Sequence, residues 1–272
     1  MTRGEKPPTH HIDMNTPSVA RMYDALLGGV YNYRVDRDAC NELLRIAPST
    51  QLLARNNRAF LKRVVRILHE EHGVRQFLDH GSGLPTQENV HEIAQGLDGG
   101  CRVAYVDNDP MVHAYGRTTL AENDNTMVID ADMRCTSTIF DRVEDFFDWQ
   151  EPVAALFVSV LHCLKDRSDD LDPHAMITRV VDRLPPGSFL VLCQLVSEDA
   201  AVRDGVTLLM ERATGDRWGR VREPDEVRAF FAGLEVVDPG LVDVVDWRPD
   251  TPPPPPEMRA TDWVEWGGVA RL

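Results

Sequence analysis

Between residues 76 and 195 the chain alternates short apolar runs with longer stretches whose apolar positions recur every three or four residues. Runs at 77–79, 103–107, 127–129, 154–160 and 189–195 place apolar residues on successive positions. They read as strands of a mostly parallel sheet covered by helices on both faces. In such a sheet, ligands bind at the carboxyl ends of the strands. Upstream lie three helical stretches. The first is capped by Thr16, with Pro17 in its first turn, and ends near Gly28-Gly29; the second spans 36–46 and stops before Pro48. The third spans 51–71, turns Leu52, Phe60, Leu61, Val64, Val65 and Leu68 inward and ends at Gly73. Downstream, helices at 199–214 and 224–231 precede strands at 234–237 and 263–270. The polyproline stretch at 252–256 between those strands reads as a stiff surface loop.

The strand ends carry the chemistry. Gln76-Phe77-Leu78-Asp79 runs into His80-Gly81-Ser82-Gly83, and the next apolar run ends in Asp107. Glycines after a strand let a ligand approach the backbone closely, and an acid closing the second strand can accept hydrogen bonds from ribose hydroxyls. These two features predict an adenosine-containing cofactor. A dinucleotide fingerprint would add a third glycine and a phosphate-ready helix start, whereas Leu84-Pro85 follow here and Pro85 has no N–H to offer a pyrophosphate. S-adenosylmethionine has no phosphate and fits better than NAD. Asp132 and Met133, after the third strand, are placed at the adenine, with Asp130 expected to point across the pleat. Asp79 either caps the following helix or orders the glycine loop and faces the methionine amino group. Asn108 belongs to the same rim, and Asp109 before Pro110 serves either the ribose or as a helix cap. His162, past the fourth strand, is a candidate general base or a packed neighbour of the cofactor.

Charge narrows the partners. With 29 basic and 44 acidic residues the formal net charge is −15, which disfavours nucleic acid and anionic membranes. The five cysteines, Cys40, Cys101, Cys135, Cys163 and Cys193, lack metal-ligand spacing, so no metal is expected. The first residues lack an apolar signal core and the longest apolar run, 153–161, is too short to span a bilayer, so the expected location is cytoplasmic.

Several runs together resemble the actinobacterial S-adenosylmethionine-dependent methyltransferase family first catalogued as a domain of unknown function. They are Gln76-Phe77-Leu78-Asp79, Gly83-Leu84-Pro85, Asn89-Val90-His91-Glu92, Tyr105-Val106-Asp107-Asn108-Asp109-Pro110 and Val160-Leu161-His162. The segments Pro17-Ser18-Val19-Ala20-Arg21-Met22-Tyr23-Asp24, Tyr31-Asn32-Tyr33 and Gly267-Gly268-Val269-Ala270 are similar to the same family, and the likeness extends over 13–272. It departs at His80, where that family usually has an aliphatic residue, and at Cys193-Gln194-Leu195, where a Ser-His pair is usual. The resemblance implies a Rossmann-like class I methyltransferase fold: a mostly parallel seven-stranded sheet, helices on both faces, and a last strand running antiparallel. It implies methyl transfer to a small molecule, with cofactor contacts at Asp79, Gly81, Ser82, Gly83, Asp107, Asn108, Asp132 and Met133. The expected organisation is a disordered tail at 1–12, a helical cap or lid at 13–72 and a core at 73–272, forming one compact unit. In the cap, Arg21, Tyr23, Asp24, Asn32 and Tyr33 are the candidate substrate or lid residues, with Gly28-Gly29 as a flexible break. A non-catalytic S-adenosylmethionine-binding sensor and an NAD-dependent oxidoreductase stand as the alternatives, and a homodimer is one oligomeric state the sequence leaves open.

Overall fold

The computed structural model describes residues 12–85, 88–119 and 123–272. Of the tail expected at 1–12, all but Ile12 lies outside the described residues. Three helices come first, α1 (Val19–Leu26), α2 (Arg34–Ile46) and α3 (Thr50–His72). Strands and helices then alternate: β1 (Gln76–His80), α4 (Val90–Leu97), β2 (Arg102–Asp107), α5 (Pro110–Thr119), β3 (Thr126–Asp130), α6 (Thr136–Val143), β4 (Val153–Val158), α7 (Pro173–Val181) and β5 (Phe189–Val196). The chain closes with α8 (Ala200–Thr214), α9 (Pro224–Arg228), β6 (Glu235–Val236), β7 (Val242–Asp243) and β8 (Val264–Arg271).

The strands run β3-β2-β1-β4-β5-β8-β6, parallel from β3 through β5, with β8 antiparallel to β5 and β7 also pairing β8. The sheet therefore has eight strands rather than the expected seven. Two short pieces share the outer edge of β8 because Pro239 has no N–H to extend the ladder and Gly240 bends the chain at a φ of 97°. Pairing resumes only at Val242, opposite Gly267.

Both sheet faces are covered. Leu78, Ala104, Ala155 and Leu192 pack toward α6, α7 and α9, while Phe77, Val103, Ala154 and Val191 pack toward α3 and α4. That double burial explains why the parallel strands are apolar at successive positions. In α3 the inner face begins at Leu53, which is buried, and Leu52, expected inside, is exposed. Gly73 caps this helix in the left-handed conformation at a φ of 68°, where a Cβ would be strained.

The first helix begins two residues later than expected, at Val19 instead of Pro17. Arg21 ties down the preceding segment by donating to the carbonyls of Asp13 and Thr16, and Ser18, in extended backbone, takes the cap position. A third cluster joins Met22, Leu43, Leu53 and Met210 to Leu195, Trp218 and Trp263, setting α1, α2, α3 and α8 over the strand ends at one side of the sheet.

Candidate functional site

The chain after β1 turns at Gly81, whose φ is 71° and where a Cβ would stand 2.3 Å from Val160 Cγ2. Only glycine fits between β1 and the segment after β4. Gly81 and Ser82 donate their N–H groups to the Val106 carbonyl at 2.7 and 3.2 Å, tying the turn to β2. Gly83 also has a positive φ, 69°, but nothing lies within 4 Å of the place its Cβ would occupy. The turn is thus closed on its sheet side and open on the other.

Asp107 completes the turn. One carboxylate oxygen accepts from the Gly83 N–H at 2.9 Å and the other from the Asp109 N–H at 2.8 Å. Burial raises its pKa, and those two backbone donors oppose the shift. Each oxygen keeps a further lone pair for a ligand hydroxyl. Asp109 serves as a cap, accepting from the Met111 N–H at 2.8 Å and from the Ser18 hydroxyl. Asp79, at the end of β1, is buried, and burial pushes its pKa to about 7, with Arg58 pulling it down and Asp107 adding to the rise.

These groups line one cavity of about 560 Å³, within the ordinary range for a small-molecule site. All eight predicted cofactor residues are in its wall: Asp79, Gly81, Ser82, Gly83, Asp107, Asn108, Asp132 and Met133. The Asp132 carboxylate is not bare, since Arg134 grips it through Nε at 3.0 and 3.2 Å and through a terminal nitrogen at 2.6 Å. Burial acts to raise the Asp132 pKa, but the Arg134 guanidinium and backbone N–H outweigh it and hold the acid below its ordinary value. Asp130 is exposed and faces His113 Nε2 at 3.2 Å, outside the cavity.

His162 lines the cavity from a 3-10 turn, Leu161–Cys163, with its ring 4.9 Å from that of Trp218. Burial, aided by the Arg222 charge, drops its pKa to about 3. An imidazole so easily deprotonated holds an abstracted proton poorly, which argues for the packed-neighbour role, and its Nδ1 has no partner in the protein. His80 does not reach the cavity; it stacks on Phe157 at 4.1 Å inside the sheet layer.

Of the five expected lid residues only Tyr23 lines the cavity. Its hydroxyl donates to the Ala54 carbonyl at 3.1 Å and accepts from Asn57 Nδ2 at 2.9 Å, and burial raises its pKa. Arg21 is turned away into a buried ion pair, Nε to Asp36 Oδ2 at 2.9 Å, and its guanidinium lies 5.1 Å from the Tyr33 ring centre. Asp24 accepts from Asn32 Nδ2 at 2.8 Å across the turn that joins α1 to α2. Arg21, Asp24, Asn32 and Tyr33 therefore fasten α1 to α2 rather than facing a ligand.

The cavity residues not singled out from the sequence include Ser159, Trp218, Trp263 and Glu265. Glu265 sits in β8 opposite Leu195, almost fully buried, and accepts the Ser159 hydroxyl. Burial raises its pKa to about 8. Ser159 takes a φ of 57°, a strained backbone for a residue with a Cβ. The available signal was a lone acid inside the apolar run 263–270.

The comparisons agree with this geometry. Residues 5–272 match the S-adenosyl methyltransferase family model, so the chain belongs to that family. A candidate methyltransferase from Thermobifida fusca YX is 36% identical, with a TM-score of 0.86 over 97% of this chain and 98% of its own. A DUF574 family protein from Streptomyces avermitilis MA-4680 is 34% identical, with a TM-score of 0.86 over 96% and 99%. The trans-methyltransferase CalH, solved with S-adenosylhomocysteine, shares the fold alone at 19% identity and a TM-score of 0.50, over 88% of this chain and 66% of its own. No curated protein matches the sequence. The fold is the class I methyltransferase fold and the cofactor is S-adenosylmethionine.

Proposed function

We propose that this member of the S-adenosyl methyltransferase family methylates a small molecule inside the cavity at the strand ends, with the rim residues holding the cofactor. The donor set suits that cofactor. Gly83 leaves room for close approach, the Ser82 hydroxyl has no partner in the protein, and Asp107 presents lone pairs to a ribose. Asp79 receives the methionine ammonium, while Asn108, Asp132 and Met133 border the adenine. The bound cofactor supplies an activated methyl group on a cationic sulfur. The protein's own share is orientation and exclusion of water, each able to supply several kcal/mol of the barrier. The helices at 13–72 form the cap that closes this space, with the core at 73–272 as one unit. The net charge of −15 argues against a nucleic-acid acceptor. Among the described residues no helix is long and apolar enough to cross a membrane, in keeping with a cytoplasmic small-molecule enzyme.

The observation that carries this reading is the Asp107 carboxylate tied to both Gly83 and Asp109 at the mouth of an open glycine turn. The test is calorimetric titration of the dialysed protein with S-adenosylmethionine, S-adenosylhomocysteine and NAD, repeated with Asp107→Ala. Binding of the first two alone, weakened at least severalfold in the variant, is the expected result. Unchanged affinity would remove Asp107 from the ribose, and binding of NAD alone would reverse the cofactor assignment.

A further inference from the structure

Past the rim the cavity continues into a chamber whose walls are Met22, Leu43, Leu53, Met210, Trp218 and Trp263. Two indoles and two thioethers make a surface suited to an apolar ring, since aromatic faces and sulfur both pack well on aromatic ligands. One carboxyl interrupts this apolar wall. Glu265 reaches from β8 across β5 to the residue after β4, where Oε1 accepts the Ser159 hydroxyl. Its other oxygen, Oε2, has no hydrogen-bond partner, the nearby Cys193 thiol donating instead to Asn57 Oδ1 at 3.5 Å, and neither Trp218 Nε1 nor Trp263 Nε1 has one either. Buried polar atoms are almost always paired, so an unpaired carboxyl oxygen in this cavity wall points to a ligand that pairs it.

Glu265 is also contiguous with the rim. Burial pushes the Cys163 thiol up to about 12, and the carboxylates of both Asp107 and Glu265 add to that rise, so Cys163 lies within electrostatic reach of each. Burial likewise keeps the Glu265 carboxyl largely protonated at neutral pH, with a pKa of about 8, so it can donate as well as accept. Such a group suits a neutral hydroxyl or amine. An anionic acceptor would lose its hydration against this apolar wall.

We propose that the chamber receives an apolar ring bearing a hydroxyl or amine, and that Glu265 is the specificity residue that grips this protic group through Oε2 while Trp218 and Trp263 wall the ring. The assignment rests on the reading of the cavity as a methyl-transfer site. Ser159 acts as a positioning residue, fixing the carboxyl by occupying Oε1.

The test is calorimetry on the full chain loaded with S-adenosylhomocysteine, titrated with 2-naphthol, 2-methoxynaphthalene and 2-naphthoate. Expected is binding of 2-naphthol about three- to tenfold tighter than 2-methoxynaphthalene, the worth of one hydrogen bond, with 2-naphthoate weakest. Glu265→Leu should erase the preference, and Glu265→Gln, which keeps a hydrogen-bonding head, should retain part of it; melting temperatures establish that both variants are folded. Equal binding of naphthol and its methyl ether, a preference that survives Glu265→Leu, or no binding of any ring would each overturn the proposal. Failure of the wild type to load S-adenosylhomocysteine would overturn the methyl-transfer reading as well, and it is seen before any ring is added.

Discussion

Asp79 ties cofactor affinity to pH in a way that can be worked out from its surroundings. Burial lifts its pKa from 3.8 to about 7, so the acid is mostly protonated in mildly acidic buffer. A methionine ammonium needs the ionised form. Affinity for S-adenosylmethionine should therefore rise as pH rises toward 7 and level off above it. With a pKa of about 7, the ionised fraction climbs from about 0.03 at pH 5.5 to about 0.5 at pH 7, a gain of about 15-fold in affinity, or about 1.6 kcal/mol. Calorimetry at the two pH values measures this directly. Adenosine, which lacks the amino acid, provides the control, because Asp107 also has a raised pKa and would affect both ligands alike. Asp79→Asn should bind S-adenosylmethionine weakly at both pH values, with no more slope than adenosine shows. The same slope for adenosine as for S-adenosylmethionine, or a slope in Asp79→Asn steeper than adenosine's, would refute the ammonium role.

Two other substitutions test the scaffold. Gly81→Ala puts a methyl 2.3 Å from Val160 Cγ2 at a φ of 71°. Strain and overpacking together should cost about 2–4 kcal/mol, and a fall in melting temperature under 2 °C would mean the turn relaxes freely. Asp36→Ala removes the partner of buried Arg21 and also strands the N–H groups of Ser18 and Tyr33, which donate to it at 3.0 and 2.7 Å. Urea denaturation should show a loss of about 3–5 kcal/mol, larger than for the double replacement Arg21→Met with Asp36→Leu; equal losses would show that the unpaired charge is not what matters.

The core strands were legible because their signals are local. Runs of apolar residues ending at glycine or an acid need only a short window, and β1, β2, β4 and β5 fall within two residues of the expected bounds. The misplacements have non-local causes. Arg21 and Asp36, far enough apart to lie on different helices, decided where α1 begins and drew four expected lid residues into a fastening role. The eighth strand escaped notice because β7 is two residues long and exists only where it meets β8. Leu52 and Leu53 exchange places because helical spacing alone leaves the inward direction free by one residue, and packing against α2 and α8 settles it.

The same division separates the two ends of the cavity. The rim is assembled within residues 79–133, where each strand end lies beside the next in the parallel sheet, so order along the chain already gives neighbourhood in space. That is why cofactor chemistry could be read from glycines and acids in sequence order. The chamber draws Met22 from α1, Leu43 from α2, Leu53 from α3, Met210 from α8 and Glu265 from β8. These residues come from five separate elements, and Glu265 meets Ser159 only because β8 runs antiparallel beside β5. A buried acid among tryptophans has little meaning along the chain. Placed two strands from β4, across β5, it becomes the polar mark in an apolar wall, and acceptor choice is accordingly written in tertiary contacts while cofactor choice is written in sequence order.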